Sequence, residues 1–139
     1  MYSHGGHLIA AVTGNIINLY SSITYENVAI LKGHIGQIKS ISWSHDDKKL
    51  ISAGADGVVY TWSMETFARL DENVNKGFSY TNVLYNHSGT DIILSSIEGT
   101  LRHLVNGNLV SDISVSNEMF VTSVSLFYIN LITNLTFYY

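Results

Sequence analysis

An imidazole, a hydroxyl, a carboxylate and an indole N–H fall within one 29-residue stretch, at His34, Ser52, Asp56 and Trp62. Such a set supports two chemistries. A Ser–His–Asp relay can activate a nucleophile, provided the serine is exposed beside oxyanion donors and the histidine can move protons. The same four groups can instead run donor to acceptor as a buried chain, which is tolerable only when every member is satisfied. The local sequence favours the second. Ser52 lies inside the apolar run Leu50-Ile51-Ser52-Ala53, with no Gly-x-Ser-x-Gly elbow around it. A Ser/His/Asp hydrolase is therefore the weaker reading, and the chain is expected to be non-catalytic.

Other reactive side chains carry less. His4 and His7, three apart in His4-Gly5-Gly6-His7, could share a metal, but no third ligand is in sight and the glycines read as a turn. Asp46-Asp47-Lys48-Lys49 reads as a solvated loop of mixed charge, with His45 and His87 in equivalent turns and His103 on a strand facing solvent. Gly54-Ala55-Asp56-Gly57 precedes a strand, whereas a phosphate cradle needs a helix N-terminus behind it. No metal or other cofactor is expected.

The elements that position these residues repeat. Sliding the chain by 42 residues lays Leu8-Ile9-Ala10-Ala11 on Leu50-Ile51-Ser52-Ala53, and Ile16 to Tyr20 on Val58 to Trp62, without a gap. A second slide lays Trp43 on Tyr85, Leu50-Ile51 on Ile92-Ile93 and Asp56-Gly57 on Glu98-Gly99. The apolar runs are short, β-branched or aromatic, and broken by Gly, Asn and Asp, which predicts strands joined by hairpins. Strands are expected at Leu8–Val12, Ile16–Tyr20, Val28–Leu31, Ile38–Trp43, Lys49–Ala53, Val58–Trp62 and Thr66–Leu70. Further strands follow at Tyr80–Tyr85, Asp91–Ser95, Thr100–Val105, Asn108–Ile113 and Phe120–Phe127. Asp56-Gly57 and Asn106-Gly107 are expected to form type I′ turns, which need residues tolerant of positive φ.

Gly33-His34 at the opening of the middle unit, Leu50 to Gly57 in its second hairpin and Trp62 at the end of its third strand resemble a WD repeat, with Ser63 where the Asp of the eponymous pair would stand. The resemblance implies an all-β, incomplete WD-repeat β-propeller of about three four-stranded antiparallel blades. It also implies that His34, Ser52, Asp56 and Trp62 form that repeat's structural hydrogen-bond network. By offset, Ala10, Gly14 and Tyr20 replace the Ser, Asp and Trp in the first unit. Lys76, Leu94, Glu98 and Leu104 stand at the four positions in the third, so only the middle unit can build the full set.

The run Tyr2 to Val12, with Leu31-Lys32-Gly33-His34, Ser40 to Trp43 and Gly54 to Trp62, is similar to the propellers of cilia- and flagella-associated WD proteins. That likeness implies a scaffold for other proteins in the cytoplasm and cytoskeleton, at the ciliary or flagellar axoneme, helping to dock inner dynein arms and support motility. The alternative is a general cytoplasmic WD scaffold unrelated to cilia.

Bulk properties agree with a protein-binding role. The 139 residues, net charge of −4 and 13% charged residues leave no field to attract nucleic acid or an anionic membrane. Cysteine is absent and no secretory signal opens the chain, so a reducing compartment is the default. The expected organisation is a partial propeller over 1–127, with blades at about 1–31, 32–73 and 74–115 and the start of a fourth at 116–127. Residues 128–139 read as an aberrant or unassigned tail. Met119 to Tyr139 carries no charge, yet its β-branched, polar-studded composition without flanking Lys or Arg argues against a membrane span. A slice of this kind would need the remainder of the propeller for closure.

Overall fold

The computed structural model describes residues 1–86 and 88–114, so the strand expected at Phe120–Phe127, the tail and His87 lie outside the described residues. Within them the chain is all-β, with three antiparallel sheets and no helix. The first sheet joins β1 (Leu8–Thr13), β2 (Ile16–Ser21) and β3 (Asn27–Lys32) in order. The middle sheet runs β4 (Ile38–Trp43), β5 (Lys49–Gly54), β6 (Val58–Ser63) and β7 (Arg69–Val74). The third repeats that meander with β8 (Tyr80–Tyr85), β9 (Asp91–Ser96), β10 (Thr100–Val105) and β11 (Asn108–Ser114).

The middle sheet is buried on both faces, which is why β5 and β6 are nearly continuous apolar runs where a one-sided strand would alternate. One face sets Leu50, Tyr60 and Trp62 against Ala10, Ile17, Leu19 and Leu31 of the first sheet. The other sets Ile51, Ala53 and Val59 against Tyr80, Val83, Ile92 and Leu94 of the third. Each large side chain removed from water in this way contributes about 1.5–3 kcal/mol. Polar contacts fix how the sheets sit: Ser40 Oγ donates to Asn82 Oδ1 at 2.6 Å, and the Tyr85 N–H donates to Ser42 Oγ at 3.2 Å.

Two expectations about strands and turns need correction. The outer strand of the middle sheet is Arg69–Val74, not Thr66–Leu70, because Phe67 takes a positive φ of 55° and the turn from β6 extends through it. The Asp56-Gly57 hairpin is not type I′. Of the pair only Gly57 has positive φ, at 74°, closing a three-residue Ala55-Asp56-Gly57 connection. Asn106 and Gly107 do take positive φ together, at 51° and 80°.

The repeat also contains a gap that the gapless slide conceals. The middle sheet pairs Leu50 with Trp62 and the third pairs Ile92 with Leu104, both shifted by 42, but the first pairs Ile9 with Tyr20. With Tyr20 laid on Trp62, Ile9 and not Leu8 stands over Leu50. The first hairpin turns through only Gly14-Asn15, one residue fewer than the middle hairpin. The first-sheet counterpart of Ser52 is thus Ala11, not Ala10, and the Asp56 position has no counterpart. Because side-chain direction alternates with period two, one lost residue in the turn exchanges the faces of β1 and sends Ala10 to the interior.

Candidate functional site

His34 enters from the loop joining β3 to β4, while Ser52, Asp56 and Trp62 come from β5, its hairpin and β6, and the four meet in one hydrogen-bonded chain. The Trp62 Nε1–H donates to Ser52 Oγ at 2.9 Å, and Ser52 Oγ lies 2.8 Å from His34 Nε2. His34 Nδ1 lies 3.1 Å from Asp56 Oδ2. The carboxylate of Asp56 also accepts the backbone N–H groups of Ile35 at 3.0 Å, Gly36 at 3.1 Å and Val58 at 3.2 Å. One proton arrangement satisfies every group: indole N–H to hydroxyl, hydroxyl O–H to Nε2, and Nδ1–H to carboxylate.

Electrostatics match that arrangement. Burial pushes the His34 imidazole below its ordinary value of 6.5, although the hydrogen bond and charge of Asp56 pull the other way. It is therefore neutral at neutral pH, as the hydroxyl-accepting tautomer requires. Burial by itself would raise Asp56, but the Gly36 N–H and the His34 side chain outweigh it and hold the carboxyl below 3.8.

The surrounding packing leaves little tolerance. Gly33 passes over two aromatic rings, and a Cβ there would stand 3.2 Å from both Trp62 and Tyr60. A Cβ on Gly54 would stand 2.8 Å from His34 Nδ1 and collide with the Asp56 carboxylate. The His34 ring meets Tyr60 edge to face at 4.6 Å, and Tyr60 meets Trp62 at 5.4 Å.

Ser52, His34 and Asp56 thus have the connectivity of a catalytic triad without its access. Ser52 is 0% exposed and His34 3%, and the serine oxygen already accepts the indole N–H. No acyl group can reach that oxygen, and the arrangement is a closed chain of hydrogen bonds. It ties the loop over residues 33–36 to the 54–57 hairpin of the same sheet.

The other candidate residues are placed differently. His4 and His7 join no metal set, and among the described residues no group of three His, Cys, Asp or Glu side chains could hold an ion. His103 is half-buried, not solvent-facing, with Nε2 3.2 Å from Asp91 Oδ2. The solvated-loop reading of Asp46-Asp47-Lys48-Lys49 holds for the exposed Asp46, Lys48 and Lys49 but is corrected at Asp47. Asp47 accepts the N–H groups of His4 at 2.8 Å and Gly5 at 2.6 Å and lies 3.2 Å from His4 Nδ1, clamping the first sheet to the middle one. The 42-residue offset that lays Gly5 on Asp47 was the available signal for this contact between successive units.

Sequence reasoning also missed the third sheet's own polar core. Lys76, Leu94, Glu98 and Leu104 build no copy of the four-residue chain. Arg102, at the position of Tyr60, gathers a different set. Its Nη2 donates to Asp112 at 2.9 Å, its Nη1 to the Tyr80 hydroxyl at 3.4 Å, and its guanidinium lies 4.2 Å from the Phe78 ring. The Asn75 side-chain oxygen, turned toward it, accepts from the same group.

Residues 25–63 match the family model "WD domain, G-beta repeat". The chain is 38% identical over 125 residues, 90% of its length, to mouse "Cilia- and flagella-associated protein 57". It is 37% identical over 70 residues to "Cilia- and flagella-associated protein 57 C" of Tetrahymena thermophila. It spans only 10% and 5% of those two proteins. Among solved structures, "Structure of U3-55K" superposes with a TM-score of 0.79 over 84% of this chain and 38% of that one, at 11% identity, a likeness of fold alone.

Proposed function

We propose that this chain, a WD-repeat protein with a propeller-like fold, is a non-catalytic protein-interaction scaffold of the ciliary or flagellar axoneme that helps dock inner dynein arms and support motility. The observation that carries the reading is the similarity to cilia- and flagella-associated protein 57 along nine-tenths of the chain. Its three sheets are read as successive blades at about 1–31, 32–73 and 74–115, stacked through the shared cores of the middle sheet and completed by further blades. The sealed Ser52–His34–Asp56 chain supports a structural over a hydrolytic role, since its serine is inaccessible. Expected partners are axonemal or dynein-associated proteins.

Expression of a tagged protein containing this chain in ciliated cells tests the proposal. Signal along the axoneme, with altered beating on depletion, supports it. Diffuse cytoplasmic signal would replace it with a general WD scaffold unrelated to cilia.

A further inference from the structure

Between the outer strand of the middle sheet, β7, and the 89–92 and 104–107 segments of the third sheet lies a cleft of about 260 Å³. Its floor is apolar, built from Val59, Ile92 and Leu104, the buried residues of the shared core. The neutral Tyr85 hydroxyl, hydrogen-bonded to Thr61, closes one wall. Strand β7 forms the rim and is the edge strand of its sheet, with Leu70 55% exposed. Across from it the Asn106-Gly107 turn of the third sheet is drawn in by the Asn73 side chain, which donates to the Gly107 carbonyl at 3.4 Å.

The charges around this cleft are not equivalent. Glu72 is engaged by Arg69 at 3.3 Å. Asp71, in contrast, makes no ion pair among the described residues, and the hydrogen bond it accepts comes from its neighbour, the Glu72 N–H, at 2.8 Å. Its Oδ2 sits directly over Gly107, 2.6 Å from where a Cβ would stand, so the glycine keeps that oxygen at the cleft mouth. Lys49 is the lining cation, against Asp71 and the engaged Glu72, and the lining carries a formal excess of one negative charge.

We propose that this cleft receives an extended segment of a partner protein that places an arginine or lysine on Asp71 and an adjacent aliphatic side chain on the Ile92–Leu104 floor. Its apolar floor favours a hydrophobic side chain, and the negative excess of the lining, with Asp71 outside any ion pair among the described residues, favours a cation. The exposed edge of β7 adds backbone groups with which an extended chain can pair. This deepens the scaffold reading and rests on it, because it names one surface through which a scaffold would hold its partner.

The test titrates a fluorescein-labelled peptide, a central arginine flanked by valine and leucine, with the full chain and follows anisotropy. A second peptide carries glutamate in place of the arginine. Saturable binding of the arginine peptide, weaker binding of the glutamate peptide and an about 2- to 5-fold loss on Asp71→Asn are expected, the range for an exposed ion pair. Lys49→Gln, which removes the competing cation, should tighten binding. Equal affinity for the two peptides, no change on Asp71→Asn or absence of saturable binding would overturn the proposal. Those outcomes would leave axonemal localisation, the test of the scaffold reading, intact.

Discussion

The middle and third sheets solve one problem with different chemistry. Both bury polar groups beside the loop that enters from the preceding sheet. The middle sheet does so with a neutral relay, indole to hydroxyl to imidazole, ending on a single carboxylate that is 10% exposed. The third carries a permanent cation, Arg102, held by Asp112, Tyr80, Asn75 and the Phe78 face. In the relay every side-chain group is paired, whereas the Nε of Arg102 is buried without a partner among the described residues. A neutral relay avoids the desolvation cost of a buried charge. A guanidinium incurs it and recovers it through several bonds at once. The framework of apolar strand positions therefore persists across repeats while the polar core is free to change.

If the two cores are independent, each should fail locally, since repeat units couple chiefly to their neighbours. The largest effect is expected for Trp62→Ala, which leaves a cavity and orphans Ser52. Native-state amide exchange should show protection in β5 and β6 falling by about 3–5 kcal/mol, with a smaller change in β9 and β10. Arg102→Met should do the converse. It leaves the Tyr80 hydroxyl and the Asn75 amide short of a partner and lowers protection in β9 to β11 by about 1–3 kcal/mol, with the 54–57 hairpin of the middle sheet little changed. Equal losses in both sheets from either variant would mean one cooperative core.

Asp47→Ala probes the joint between the first and middle sheets. Losing its bonds to His4 and Gly5 should cost about 1 kcal/mol, read as faster exchange of those two amides. The smallest effect is the acid response of the middle sheet. His34 has a lowered value in the folded chain, so below 6.5 the unfolded chain binds the proton more readily and stability falls. Asp56, also lowered, adds its own loss once the pH drops below 3.8. Exchange of the middle-sheet amides measured across that range should show the two declines, and His34→Gln should abolish the first.

The contrast also marks what was legible beforehand. His34, Ser52, Asp56 and Trp62 were legible because the middle unit carries the residue types that the WD-repeat resemblance assigns to a hydrogen-bond network, and their donors and acceptors can be chained without a remainder. Arg102 could not, since an arginine in mid-strand reads as a solvent-facing residue until Phe78 and Tyr80 are seen to cover it. Asp47 was hidden in a charged run, the usual mark of a solvated turn, although both of its carboxylate oxygens reach the neighbouring unit. Strand β7 was misplaced because an edge strand rich in Asp, Glu and Asn carries little β signal. The missing residue in the first hairpin was masked by apolar residues on both sides of the turn, which match equally well in either register.

The central claim is that the relay from Trp62 to Asp56 fastens the 33–36 loop to its hairpin. Ile35 and Gly36, whose N–H groups donate to Asp56, report on it from a distance in the variant Ser52→Ala, which touches neither residue. Their amide exchange should quicken by about tenfold as His34 loses its hydroxyl partner and releases the carboxylate. Unchanged exchange at both amides in a folded Ser52→Ala protein would contradict the account.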